Sequence, residues 1–262
     1  MGNIGAVFCF EWKRAITWPR LMGWATLALF PVFIIGLIRM TSEMAGDYPP
    51  RELWIGFLFA LVPMLVSMLG ALLWTTTAIA TELERRSWVY LTIRPNGGTA
   101  VLIGKYLAAV TWVIPAALVG LTLAVPLTIT PDTADGEALQ LWWAMARLVC
   151  LSCPAYSAIF LLLGTINPRR AMVLAVAYSL IFELVISFVP AVINKLTVQY
   201  RLRALMIDWC DVNPPQGVQA LIGNSSPTEH VLVLLLLTPV LLAAAVARLR
   251  WSEFSAAAES DV

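Results

Sequence analysis

Long apolar runs alternate with short polar breaks along the chain. Runs at about residues 21–38, 53–80, 99–129, 139–164, 171–193 and 230–247 carry very few charges. As helices, runs of roughly 20 residues cross about 30 Å of hydrocarbon. A soluble core helix would show a polar face at every turn, and these runs do not. The alternating segments of about 10 residues that a membrane β-barrel needs are absent. The pattern predicts an all-α polytopic membrane protein: six transmembrane helices within residues 21–250, preceded by an interfacial helix over 1–20 and followed by a polar tail over 251–262. The first apolar run begins too late and runs too long for the core of a cleavable signal peptide.

The opening segment is amphipathic. On a helical wheel Ile4, Phe8, Trp12 and Ala15 share one face, and Lys13, Arg14, Thr17 and Arg20 share another. Such a helix lies flat in the interface, and Pro19 marks its expected end. Pro49 and Pro50 interrupt the first connection, Pro115 and Pro126 interrupt the third run, and Asn167, Pro168, Arg169 and Arg170 make a tight basic turn. The outer segment 194–229 is long. Its part 196–210 is amphipathic enough for a helix on or dipping into the membrane face, and Asn213, Pro214 and Pro215 break it.

Composition agrees. Hydrophobic residues make up 60% of the 262, charged residues only 13%, and the mean hydropathy is +0.81. Soluble domains sit nearer 45–50% apolar and about 25% charged. The formal net charge of +1 is scattered and forms no basic face, so nucleic acid is not an expected partner. Placing both termini in the cytoplasm puts Lys13, Arg14, Arg20, Arg85, Arg86, Arg94, Lys105, Arg169, Arg170, Arg248 and Arg250 inside, and only Arg39, Arg51, Lys195, Arg201 and Arg203 outside. The positive-inside rule therefore predicts that orientation, in the cytoplasmic membrane.

Candidate chemistry is sparse. Cys150 and Cys153 are one helical turn apart in an apolar run, with no second Cys or His pair to complete a metal site, and they read as helix-packing residues. Gly98 to Lys105 superficially resembles a phosphate loop, but the glycine spacing is one residue too long and Tyr106 stands where Ser or Thr is required. His230, the single histidine, starts the last run and cannot build a zinc site alone. No metal, cofactor or catalytic residue is expected. Arg147 and Glu183 are the charges inside runs, a candidate intramembrane polar pair. A charge at the bilayer centre costs roughly 2.5–3.5 kcal/mol on insertion scales, so each should face protein or a water-filled cavity. They read either as a substrate or proton site, or as an interhelical clamp with Arg147 reaching outward as the alternative.

The charged island at 81–98, between the second and third runs, is the most specific feature. It gathers Glu82, Glu84, Arg85, Arg86, Trp88, Leu91, Arg94 and Pro95, and Gly104-Lys105 follows as the third run opens. Glu82, Glu84, Leu91, Pro95, Gly104 and Lys105, in this order and spacing, resemble the membrane subunits of type-2 ATP-binding-cassette (ABC) transporters. Ser87 replaces the usual Thr, Arg86 a Gly, and Trp88 a Leu. The resemblance implies a permease subunit that does no chemistry itself. It also implies a cytoplasmic coupling helix over 81–95, docked on a separate ATPase subunit, and a second copy or a paralogous permease completing the path. Leu83, Trp88 and Leu91 would anchor the dock, and Arg85, Arg86 and Arg94 would rim it. Export is implied by the family alone. Ser67, Gly70, Thr75, Thr76 and Thr77 in the second run favour an amphipathic, lipid-like or peptide substrate over a hydrated ion. The rival expectations are an ion-coupled secondary transporter, for which only Glu183 offers a mid-membrane carboxylate, and an intramembrane enzyme.

Overall fold

Inside a bilayer the backbone finds no water, so each N–H and C=O must be paired within its own segment. Helices follow from that constraint. The computed structural model describes residues 2–46, 48–76, 78, 97–129, 136–188, 194–195, 197–212 and 226–251, and among these every regular element is helical. In chain order they are α1 (Gly2–Ala15), α2 (Trp18–Ala45), α3 (Arg51–Thr75), α4 (Gly97–Ala124), α5 (Glu137–Ile166), α6 (Ala171–Tyr178), α7 (Val198–Trp209) and α8 (Pro227–Trp251). Five are long and apolar enough to cross a membrane: α2, α3, α4 with its 3-10 extension Val125–Thr128, α5 and α8.

The sixth expected span, at 171–193, takes a different form. Its described part runs as α6, a π-helical turn Ser179–Val185 and a 3-10 turn Ile186–Phe188, pieces of eight, seven and three residues. The chain then returns as α7 into the bundle. Most of α7 is buried, including Leu202, Leu205 and the polar Gln199, between α5 and α8. The amphipathicity of 196–210 thus reflects a helix packed within protein rather than one resting on a surface.

α5 is the centre of the bundle. It packs against α3, α4, α6, α7 and α8, and 67% of its most apolar stretch is buried, against 22% for α2 and 17% for α8. Phe160, Leu148 and Leu161 are fully enclosed there. On the periphery, α2 and α4 approach closely: a Cβ on Gly120 would lie 2.6 Å from the carbonyl oxygen of Ala28. Small residues permit this kind of backbone contact between membrane helices.

Prolines bend the pattern without ending it. Pro63 sits inside α3, where the helix widens into a π turn over Ala60–Val66. A π turn absorbs the N–H that proline cannot supply. Ser67 exploits the opening. Its hydroxyl donates to the Val62 carbonyl at 3.3 Å and accepts from Ser152 Oγ at 3.0 Å and from Cys153 Sγ at 3.3 Å. Cys153 is accordingly a buried packing group between α3 and α5, while Cys150 is exposed on another side of α5.

Two boundaries move. α1 ends at Ala15, and Pro19 lies in the first turn of α2, where a missing N–H costs nothing. α2 extends past residue 38 to Ala45 because Arg39 finds partners: Glu43 at 2.9 Å, and the carbonyls of Leu127 and Ile129 at 3.0 and 2.8 Å. Arg39 thereby bonds the free carbonyls at the end of α4 and its extension.

Candidate functional site

The coupling residues read from the sequence, Glu82, Glu84, Arg85, Arg86, Trp88, Leu91, Arg94 and Pro95, lie outside the described residues. The positions that flank them are described, and they form a junction. Lys105, on the third turn of α4, donates from Nζ to the carbonyl of Ala78 at 2.9 Å and forms an ion pair with Glu11 of α1 at 3.4 Å. Its side chain is 6% exposed, and that of Glu11 15%. Glu11 also lies 3.8 Å from Arg14.

Gly104, immediately before Lys105, explains why α1 can lie so close. A Cβ there would fall 2.7 Å from Val7 Cγ1, inside contact distance. Farther along, Trp12 donates to Thr111 Oγ1 at 3.2 Å and meets the Trp112 ring edge-on at 5.6 Å, and Trp24 of α2 donates to the Trp112 carbonyl at 3.1 Å. The packed face of α1 therefore includes Glu11 and Arg14 as well as the apolar Ile4, Val7 and Phe8. The helical wheel placed Arg14 on the polar face, but Arg14 lies beside Glu11, which also pairs with Lys105 of α4, and a buried ammonium requires a carboxylate.

Glu183 builds a second polar centre, between α5 and the start of α7. It is fully buried. Tyr178 donates to Oε1 at 2.9 Å and Tyr156 to Oε2 at 3.4 Å. The backbone N–H groups of Val198 and Gln199 donate to Oε1 and Oε2 at 3.3 and 3.1 Å. The Gln199 side-chain amide donates in turn to Tyr156 Oη at 2.8 Å. Two donors on each oxygen match what a carboxylate can accept. Two of them are orphan amides at the start of α7, where the helix dipole favours negative charge. Thr197 completes the cap, its hydroxyl accepting from Tyr200 N–H at 3.2 Å. A turn later Arg203 donates to the Ser187 carbonyl at 3.2 Å.

The π turn makes this centre possible. In an α-helix residues five apart lie on different faces. With i→i+5 bonding the turn widens and brings Tyr178 and Glu183 together.

The candidate pair of Arg147 and Glu183 does not form. Among the described residues no ion pair joins them. Arg147 is exposed; its guanidinium lies 4.5 Å over the Trp209 ring and donates to the Trp143 carbonyl at 3.3 Å. It therefore holds the far end of α7 while Glu183 holds the near end. His230, in the first turn of α8, is buried against the same helix, 3.3 Å from Arg201 and edge-on to Tyr200.

Sequence reasoning missed Glu11, Tyr156, Tyr178 and Gln199. Two tyrosines inside apolar runs were the available signal, because a buried hydroxyl needs a partner. Compared with known proteins, the chain matches no family model and no curated sequence.

Proposed function

We propose that this chain is the permease subunit of an ATP-binding-cassette transporter, exporting an amphipathic, lipid-like or peptide substrate under the drive of a separate ATPase subunit. The observation that carries the reading is the junction around Lys105. Ala78 precedes the charged island and Lys105 follows it, and a 2.9 Å hydrogen bond ties one to the other, with α1 attached through Glu11. A force applied to the segment between them would reach α1, α3 and α4 together. That is the mechanical requirement for a coupling segment, and Gly104-Lys105 closes the series Glu82, Glu84, Leu91, Pro95, Gly104 and Lys105 by which the sequence resembles these permeases.

On this reading the cell membrane holds a second copy or a paralogous permease beside the chain, six spans per subunit with both ends cytoplasmic. The re-entrant α7, pinned by Glu183, would close the outer end of the path. An ion-coupled mechanism is weakened by the same geometry, because four protein donors already occupy the Glu183 carboxylate and a coupling cation would have to displace one.

Affinity purification of the full chain in mild detergent, followed by identification of what co-purifies, tests the proposal. A soluble protein with nucleotide-triphosphatase activity is the expected companion. Full transport by the isolated chain in liposomes, with no second component, would overturn it.

A further inference from the structure

We infer that His230 of α8 and Arg201 of α7 form an acid-sensitive latch: a neutral imidazole holds the re-entrant helix against the last span, and a proton on that ring releases it. The guanidinium of Arg201 lies 3.3 Å from His230 Nδ1. A guanidinium donates and cannot accept, so Nδ1 is the acceptor and the ring proton sits on Nε2. Nε2 meets no acceptor among the described residues. A second proton would have to enter at Nδ1, where it faces a donor and a positive charge at hydrogen-bond distance. The ring belongs to a residue only 1% exposed, so water offers it little. An imidazolium here loses the Arg201 bond, gains none, and is set against a like charge.

The surroundings leave that balance in place. Among the described residues Arg201 and Glu229 are the charged groups that act on the ring, and Tyr200 is the titratable side chain in contact with it, edge-on at 5.7 Å. Glu229 favours a charged ring, but its side chain is 55% exposed and lies 3.8 Å from Arg201, whose own side chain is 14% exposed. Solvent screens the acid more than the guanidinium, and the guanidinium is the group in contact. Position makes the pair a latch. Arg201 falls between the Glu183 contacts at Val198 and Gln199 and the Arg147 stack on Trp209, so its bond to His230 ties the body of α7 to α8. Opening the contact takes up a proton, and is therefore favoured as the medium falls below about pH 6.5, where a freed imidazole becomes charged.

The inference does not depend on the transporter reading. Hydrogen–deuterium exchange of the full chain in detergent, followed across α7 at about pH 7.5 and about pH 5 and corrected at each for the intrinsic rate, tests it. Protection of the amides from Leu202 to Met206 should fall by about tenfold or more between the two, the weight of a lost hydrogen bond to a charged group. His230→Asn keeps an acceptor near the Nδ1 position and takes up no proton, so its protection across α7 should not change with pH. Arg201→Gln removes the opposing charge and should remove most of the response. Each protein is compared with itself at the two pH values, so a stability lost to the substitution does not enter. Protection in the parent that is the same at both pH values, an equal acid response in His230→Asn, which would move the effect to another group such as Glu183, or the parent's full response in Arg201→Gln would each overturn the inference.

Discussion

The backbone N–H of Gln199 donates to the carboxylate of Glu183 at 3.1 Å, across sixteen residues of chain. A side chain from α6's continuation thus serves as the N-terminal acceptor of α7, in place of a cap from α7's own sequence alone. Glu183→Gln keeps the size and removes the match. Its amide NH2 must face either Tyr178 and Val198 or Tyr156 and Gln199, all of them donors. The expected loss is about 2–4 kcal/mol, the range for an unsatisfied buried polar group within a network. Tyr178→Phe removes one donor and leaves three, so it should cost about 1 kcal/mol. Thermal unfolding of the two variants in detergent checks the order. A Glu183→Gln protein as stable as the parent would show that the carboxylate does not hold α7.

Arg147 and Glu183 should behave as independent sites. Arg147 stacks over Trp209 at 4.5 Å and takes no part in the Glu183 network. Arg147→Ala should cost about 0.5–1 kcal/mol, the weight of a cation–π contact at an exposed position. In a double-mutant cycle with Glu183→Gln the two effects should add within about 0.5 kcal/mol, as for residues without shared partners. A larger coupling term would restore the direct pair that their isolation in apolar runs suggested.

That pair shows where reading the sequence stops. Run length locates α2, α3, α4, α5 and α8, because the bilayer fixes how many apolar residues a helix needs. It also marks Glu183 as a buried charge needing a partner. It does not identify the partner, since the four donors come from three elements brought together by a π turn and a returning helix, and neither leaves a periodic signature. Two of the donors are backbone N–H groups, which no residue type announces. At the other end, Gly104 and Lys105 were legible as a motif, but Glu11 was not. A lone acid on a basic amphipathic helix looks like surface charge until the helix it packs against is known.

Displacing α1 should follow from filling the space that Gly104 leaves. The nearest atom to a Cβ at that position is Val7 Cγ1, at 2.7 Å. Gly104→Leu therefore cannot be accommodated without moving α1, and overpacking of this kind costs about 1–3 kcal/mol. Thiol labelling of a Val7→Cys reporter, with Cys9 replaced by Ser, should accelerate by roughly tenfold when Gly104→Leu is added. Lys105→Met should act in the same direction, because it removes both the Glu11 ion pair and the bond to the Ala78 carbonyl. Unchanged labelling in both variants would mean that the junction does not hold α1 to α4.

The coupling reading makes its own demand on the island. If Trp88 and Leu91 anchor it in a cleft on an ATPase, then Trp88→Asp with Leu91→Asp places two carboxylates in a desolvated apolar contact. Truncating a buried aromatic anchor alone commonly costs 2 kcal/mol or more, roughly a thirtyfold loss of affinity, and buried unpaired charge adds to it. Neither residue is needed to insert α3 or α4, whose apolar stretches lie within Arg51–Thr75 and Gly97–Thr128. The double variant should therefore reach the membrane at the parent's level and lose the co-purifying ATPase. Arg94→Gln, at the expected rim, should weaken association by severalfold only and make it less sensitive to salt, whereas the parent complex should loosen as ionic strength rises. A variant that keeps its companion with both aspartates in place would remove the island from the interface and, with it, the basis for treating the Lys105 junction as the point where force enters the bundle.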